Sequence, residues 1–123
     1  MIKFDFDNMY CGAIKRGDIV LLEIAKEEEP YLILQDDILN NGLPTVICAK
    51  IIPYKNNTKI MVNEVLLVKE ETGLGKDGVC LLHKVETIER GNIIAKKGEL
   101  KQETLQKIFK ALDVTLGRFR EEK

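Results

Sequence analysis

The chain has 123 residues, 45% of them hydrophobic, and its 19 basic against 20 acidic side chains leave a net charge of −1. That length makes one domain able to bury its own core without disulfide or metal staples. The balanced charge excludes the strongly basic type of nucleic-acid binder, of pI above about 9, although a local basic groove needs only a few well-placed cations. No apolar run approaches the roughly 18 residues that cross a bilayer. Met1-Ile2-Lys3-Phe4-Asp5-Phe6-Asp7 lacks the basic start and apolar stretch of a secretory signal, so a cytoplasmic protein with no membrane partner is expected. Cys11, Cys48 and Cys80 form no CxxC pair, and their odd number argues for reduced thiols rather than a disulfide framework.

Residues 1–14 read as an extension ahead of the domain, with Phe4 and Phe6 alternating with charges. Arg16-Gly17-Asp18 then punctuates, and Ile19-Val20-Leu21-Leu22-Glu23-Ile24 has the apolar character of a buried strand. Lys26-Glu27-Glu28-Glu29-Pro30 reads as a charged loop and Tyr31-Leu32-Ile33-Leu34-Gln35 as the second strand. An Asp cap and an Asn-Gly stop allow a short helical turn between Asp36 and Gly42. A third strand runs from Pro44 to Ile52, apolar except near Lys50. Strands are expected near 59–68, over 79–82 and over 85–89, with a short strand or loop at 92–97. The period then changes. Leu105, Ile108, Phe109, Leu112, Leu116 and Phe119 recur at spacings of three and four, which predicts a helix over about 101–119 with one apolar stripe. Many short strands followed by one amphipathic helix predict a mainly β domain, a partly closed barrel with the helix packed across it.

Two patterns invite chemistry and do not support it. Gly73-Leu74-Gly75-Lys76-Asp77-Gly78 spells G-x-G-x-x-G, but the dinucleotide fingerprint needs a helix next, and Val79-Cys80-Leu81-Leu82 reads as a strand. The glycines are therefore a turn. Cys80 and His83 have ligand-like spacing, yet no second pair completes a tetrahedral site, and an extended strand points them to opposite faces. No metal and no cofactor are expected.

Three separated blocks resemble the PemK/MazF toxin family. Lys15-Arg16-Gly17-Asp18-Ile19-Val20 looks like its opening strand. Glu29-Pro30-Tyr31-Leu32-Ile33-Leu34-Gln35-Asp36-Asp37, with Leu43-Pro44-Thr45-Val46-Ile47, is similar to its Arg-Pro-aliphatic strand, short loop and Pro-Thr strand. The stretch from Lys76 to Glu89 looks like its Asp-Ser-aliphatic…Gln-aliphatic-Arg-Thr-Ile-Asp block. The resemblance covers residues 15–119. It implies an SH3-like, partly open barrel over 15–123 with a C-terminal helix, a homodimer, a cognate antitoxin, and a toxin of a type II toxin–antitoxin module. Active members of the family cut single-stranded RNA without a metal, a ribose 2′-hydroxyl attacking the adjacent phosphate. Such a site needs a proton acceptor, a proton donor and a cation for the crowded anionic phosphorane.

The resemblance breaks where that chemistry sits. Glu29 stands at the family's Arg position and Ile52 at its Thr position; Gly78, Lys84 and Glu86 replace Ser, Gln and Arg of the third block. An arginine clamping a transferring phosphate is worth roughly 10³–10⁵ in rate, so a conventional site is expected to be crippled. Lys50 shares a strand face with Ile52, and Lys84 with Glu86, so Lys50 and Lys84, with Arg16 and His83, are candidates to restore RNA binding. The plain alternative leaves these lysines on a solvated face or pairs them with Glu29 and Glu86. Two functions follow, an endoribonuclease with a rearranged site or a non-catalytic binding protein on the same barrel. A gyrase-poisoning toxin on a similar barrel is disfavoured by the absence of Trp.

Overall fold

A computed structural model describes residues 9–118. It contains strands β1 (Asp18–Ile24), β2 (Glu27–Ile33), β3 (Thr45–Pro53), β4 (Glu64–Leu67), β5 (Gly78–Glu89) and β6 (Ile93–Glu99). The helices are α1 (Asp37–Asn40), α2 (Lys69–Thr72) and α3 (Gln102–Leu116), and a 3-10 turn at Arg90–Asn92 precedes β6. The strands form one antiparallel sheet in the order β4-β5-β3-β2-β1-β6.

The expected charged loop at 26–30 is part of a hairpin instead. Ala25 and Lys26 both take positive φ, 52° and 69°, the geometry of a two-residue turn matched to the twist of its strands. The turn carries β1 straight into β2, with Glu27 to Pro30 laddered against Ile24 to Leu21. Pro30, which has no N–H to donate, lies just before β2 begins pairing with β3 at Tyr31, so its other side needs no ladder bond. A second difference concerns 79–89. The two expected strands are one twelve-residue β5, and the β3–β5 register jumps from Ala49↔Val85 to Lys50↔Leu81. Leu82, His83 and Lys84 are thus extra residues, a bulge that bends the strand. β4 is also shorter than the 59–68 expected.

Side-chain alternation splits the core into two layers. Ile19, Leu32, Leu34, Ala49, Ile51, Leu67 and Leu82 face α3, which contributes Ile108 and Ala111. Val20, Leu22, Tyr31, Ile33, Val46, Cys48 and Ile93 face the other way, where Ile14 and Tyr10 cover them. Residues 9–14 therefore pack onto the domain: the Tyr10 amide donates to the Ile93 carbonyl at 2.8 Å, and Arg90 Nη2 donates to the Gly12 carbonyl at 2.7 Å.

The sheet curls because α2, just after edge strand β4, abuts β6 at the opposite edge. The contact is so close that a Cβ at Gly98 would lie 2.2 Å from the Glu71 carbonyl, and one at Gly73 would lie 2.0 Å from the Lys97 carbonyl. Gly73 also ends α2 at φ 70°. From α2, the Glu71 carboxylate accepts from the Lys101 amide at 2.8 Å and from the Thr104 hydroxyl, capping α3 from outside its own sequence. α3 stops at Leu116 because Gly117 turns left-handed, φ 71°, and its amide bonds back to Asp113 and Val114. Its buried stripe is Ile108 and Ala111 flanked by Leu105 and Leu112, whereas Leu116 is exposed. Phe119 lies outside the described residues.

Candidate functional site

Three strands meet around Glu29, Ile52 and Glu86, three of the positions expected to depart from the family pattern. β2 and β3 pair from Ile33↔Cys48 to Tyr31↔Lys50, and extending that register two residues sets Glu29 opposite Ile52. β3 and β5 pair Cys48 with Glu86, Lys50 with Leu81 and Ile52 with Val79. Glu29, Tyr31, Lys50, Ile52 and Glu86 therefore project from one face, that of the second core layer.

Lys50 Nζ lies 3.2 Å from Glu29 Oε2, with both side chains about two-thirds covered. One step along, the Tyr31 hydroxyl donates to Glu86 Oε2 at 2.7 Å, its ring sunk in the second layer at 2% exposure. Burial, and then the hydrogen bond to the Glu86 carboxylate, push the Tyr31 phenol well above its ordinary range. Beneath them burial and the Glu86 charge push the Cys48 thiol up to about 12. The patch thus holds two carboxylates, one ammonium and a phenol that stays protonated. A phosphate approaching it meets an ammonium already paired and a second carboxylate. Ile52 adds 37% exposed aliphatic surface and no hydroxyl. Gly78 is tightly enclosed, since a Cβ there would lie 2.9 Å from Ile51 Cγ2 and 3.2 Å from the Ile52 carbonyl. On the neighbouring side Leu21, Pro30, Ile51, Ile52, Pro53 and Leu74 line a cleft of about 320 Å³, with Glu28, Lys76 and Asp77 also lining it.

The other candidate cations lie apart from this cluster. Arg16 is tied to the helical side: its guanidinium sits 4.8 Å over the Phe109 ring, Nε donates to the Leu34 carbonyl at 3.3 Å, and Nη2 is 3.5 Å from Asp36 Oδ1. Lys84 and His83 occupy the exposed β5 bulge. Asn63 Nδ2 donates to His83 Nδ1 at 2.7 Å, which leaves the neutral ring's proton on Nε2, toward solvent. Cys80 is buried in the α3-side layer with its thiol pushed up to about 12, again mainly by burial, so it does not share a site with His83. Among the described residues no cluster of His, Cys, Asp and Glu could hold a metal ion. The Tyr31–Glu86 bond, 55 residues long in sequence, is the feature that pattern reading missed.

A curled six-stranded antiparallel sheet with a C-terminal helix packed on it is the fold shared with solved toxin structures. The chain belongs to the family of PemK-like, MazF-like toxins of type II toxin–antitoxin systems, whose profile matches residues 15–116. It is 32% identical over 111 residues to the endoribonuclease MazF of Staphylococcus epidermidis and 30% identical to that of Staphylococcus saprophyticus, each match covering 85% of this chain and 92% of the relative. Among solved structures it is similar to a mycobacterial endoribonuclease in complex with its cognate antitoxin, with TM-score 0.75, 20% identity, and 85% of this chain and 96% of that one covered. It is likewise similar to MazF in a MazE–MazF crystal from Deinococcus radiodurans, with TM-score 0.69, 20% identity, and coverage of 86% and 97%.

Proposed function

We propose that this chain is a cytoplasmic toxin-module protein that pairs as a homodimer, binds a cognate antitoxin, and cleaves single-stranded RNA very slowly or not at all. Residues 15–123 form its functional unit. The observation that carries this reading is the 3.2 Å pair between Lys50 and Glu29. Glu29 occupies the family's arginine position, and its carboxylate engages Lys50, the cation nearest to that position. Attack of a 2′-oxygen on phosphorus, with departure of the 5′-oxygen, gathers negative charge on the phosphorane. Here that charge would form beside Glu29 and Glu86 with Lys50 already neutralised.

A second reading keeps activity at a rearranged site, and the exposed bulge favours it. Lys84 has no acidic partner among the described residues, and the His83 Nε2 proton faces solvent beside it. One experiment separates the two readings: incubation of the purified protein with long mixed-sequence RNA in EDTA, with new 5′ ends mapped. Only trace cleavage is expected from the wild type. Glu29→Arg with Ile52→Thr is expected to tighten RNA binding about tenfold at low salt, because a repulsive Coulomb contribution becomes attractive and Lys50 is released. The gain should shrink as salt rises. Brisk cleavage abolished by Lys50→Ala or Lys84→Ala would instead establish the rearranged site. Brisk cleavage indifferent to both would defeat each reading.

A further inference from the structure

The family profile begins at residue 15, yet residues 9–14, just ahead of it, are laid onto the barrel. Ile14 is 6% exposed and completes the second core layer, and Tyr10 packs against the same layer. The Tyr10 amide makes one bond to β6, at the Ile93 carbonyl, and no ladder follows it. Arg90, in the turn between β5 and β6, holds the rest. Its Nη2 donates to the Gly12 carbonyl at 2.7 Å, and its guanidinium lies 5.8 Å from the centre of the Tyr10 ring. The ring curls so closely over Gly12 that a Cβ there would overlap the Tyr10 hydroxyl.

Two features make this attachment reversible. Its contacts are few: Cys11 and Ala13 are exposed and Met9 and Gly12 only half-buried, so the ordered backbone is held to the barrel by two hydrogen bonds, one aliphatic side chain and one ring. The latch is also a cation with neutral partners. Among the described residues Arg90 has no carboxylate, and its Nη1 is buried with no hydrogen-bond partner. A charged N–H shut away from water costs free energy until something accepts from it. Lifting the segment returns Nη1 to water, which offsets part of the bonding that is lost.

We infer that residues 9–14 form a releasable strap, latched by Arg90, that covers and uncovers the second core layer. Closed, the strap seals Leu22, Cys48 and Ile93 from water. The same layer holds the Tyr31 ring, and β5 runs from Glu86 directly into the Arg90 turn, so release also loosens the chain beside the Tyr31–Glu86 bond. The strap lies over the layer and not in the cluster of Glu29 and Lys50, and its test involves no RNA, so it stands or falls separately from the reading of that cluster.

Two buried thiols report on the strap. Cys48 belongs to the second layer, and Cys80 to the layer sealed by α3. The full chain is treated with iodoacetamide under native conditions, and the rate at each cysteine is read by mass spectrometry of its peptide. In the wild type Cys48 and Cys80 are expected to react slowly and the exposed Cys11 fast. Gly12→Ala drives the Tyr10 ring from its seat without altering the barrel, and Arg90→Met removes the latch while keeping an apolar stem in the turn. Each should speed Cys48 by about tenfold or more, as the loss of a charge-assisted hydrogen bond implies, and leave Cys80 at its wild-type rate. That asymmetry marks local release, because global unfolding exposes both thiols together. If Arg90→Met speeds both, the turn itself has come apart, and Gly12→Ala alone decides. Cys48 unchanged by Gly12→Ala, or Cys48 and Cys80 accelerated in step by it, overturns the inference, since the segment would then be a fixed part of the barrel. So does a Cys48 rate indifferent to Arg90→Met, because the latch would then lie elsewhere.

Discussion

The two sides of the sheet use alternate residues of the same strands, yet they have diverged in purpose. On the α3 side Ile51, Leu67, Leu82 and Ile108 meet with no polar group among them, and the helix seals them. On the other side the layer of Val20, Leu22, Ile33 and Cys48 runs out into Tyr31–Glu86 and Lys50–Glu29, and no helix among the described residues covers it. Both sides supply stability through buried apolar area. The open side also holds partly exposed polar groups that contribute little to stability and decide what can approach. Substitution at Glu29, Ile52 or Glu86 can therefore redirect chemistry without disturbing the barrel.

That contrast is open to measurement. The largest expected effect lies on the sealed side: Ile108→Ala empties the centre of the helix–sheet contact and should cost about 2–5 kcal/mol in chemical denaturation. Leu112→Ala, on the flank of the stripe, should cost less; equal losses would mean that the helix sits rotated from the orientation described. On the open side Tyr31→Phe keeps the ring and removes one hydrogen bond to a solvated carboxylate, so about 0.5–1.5 kcal/mol is expected. A loss as large as that for Ile108→Ala would show that the polar cluster carries the fold. The smallest effect concerns thiol reactivity. Burial pushes Cys48 on one side and Cys80 on the other up to about 12, so both stay protonated near pH 8 while Cys11 is exposed. A thiol reagent should modify one cysteine in the native protein and all three after denaturation. Native modification of Cys48 as fast as Cys11 would mean that water enters the open-side layer.

Much of this architecture is legible in the chain. The three-and-four spacing around Ile108 marks α3, Asp36 announces α1 by capping Ile38 at 3.0 Å, and the apolar runs of β1 and β3 are strands as read. The misreadings have specific causes. Ala25-Lys26 carries none of the Gly or Asn that normally signals a positive-φ turn, so the hairpin looked like a charged loop. The bulge at 82–84 consists of residues ordinary in any strand, and only the partner β3 reveals the register jump. Phe119 and Leu116 extend the helical period on paper, but Gly117 has already ended the helix.

The candidate site divides in the same way. The residue types at 29 and 52 are properties of the sequence, and a carboxylate at position 29 repels phosphate in any fold that brings phosphate near. Which cation answers Glu29 is not. Lys50, Lys84 and Arg16 were equal candidates in one dimension, and the β2–β3 register gives Glu29 to Lys50, while Phe109 and Asp36 hold Arg16 on the helical side. The pairing of Tyr31 with Glu86 and the capping of α3 by Glu71 were equally hidden. Local periodicity and turn chemistry are written within a few residues of each other, so the sequence alone determined the elements and the family. Charge partners are chosen by distances of a few ångströms between strands far apart in the chain, and sheet register, bulge and curl settle those distances only when the whole domain has closed.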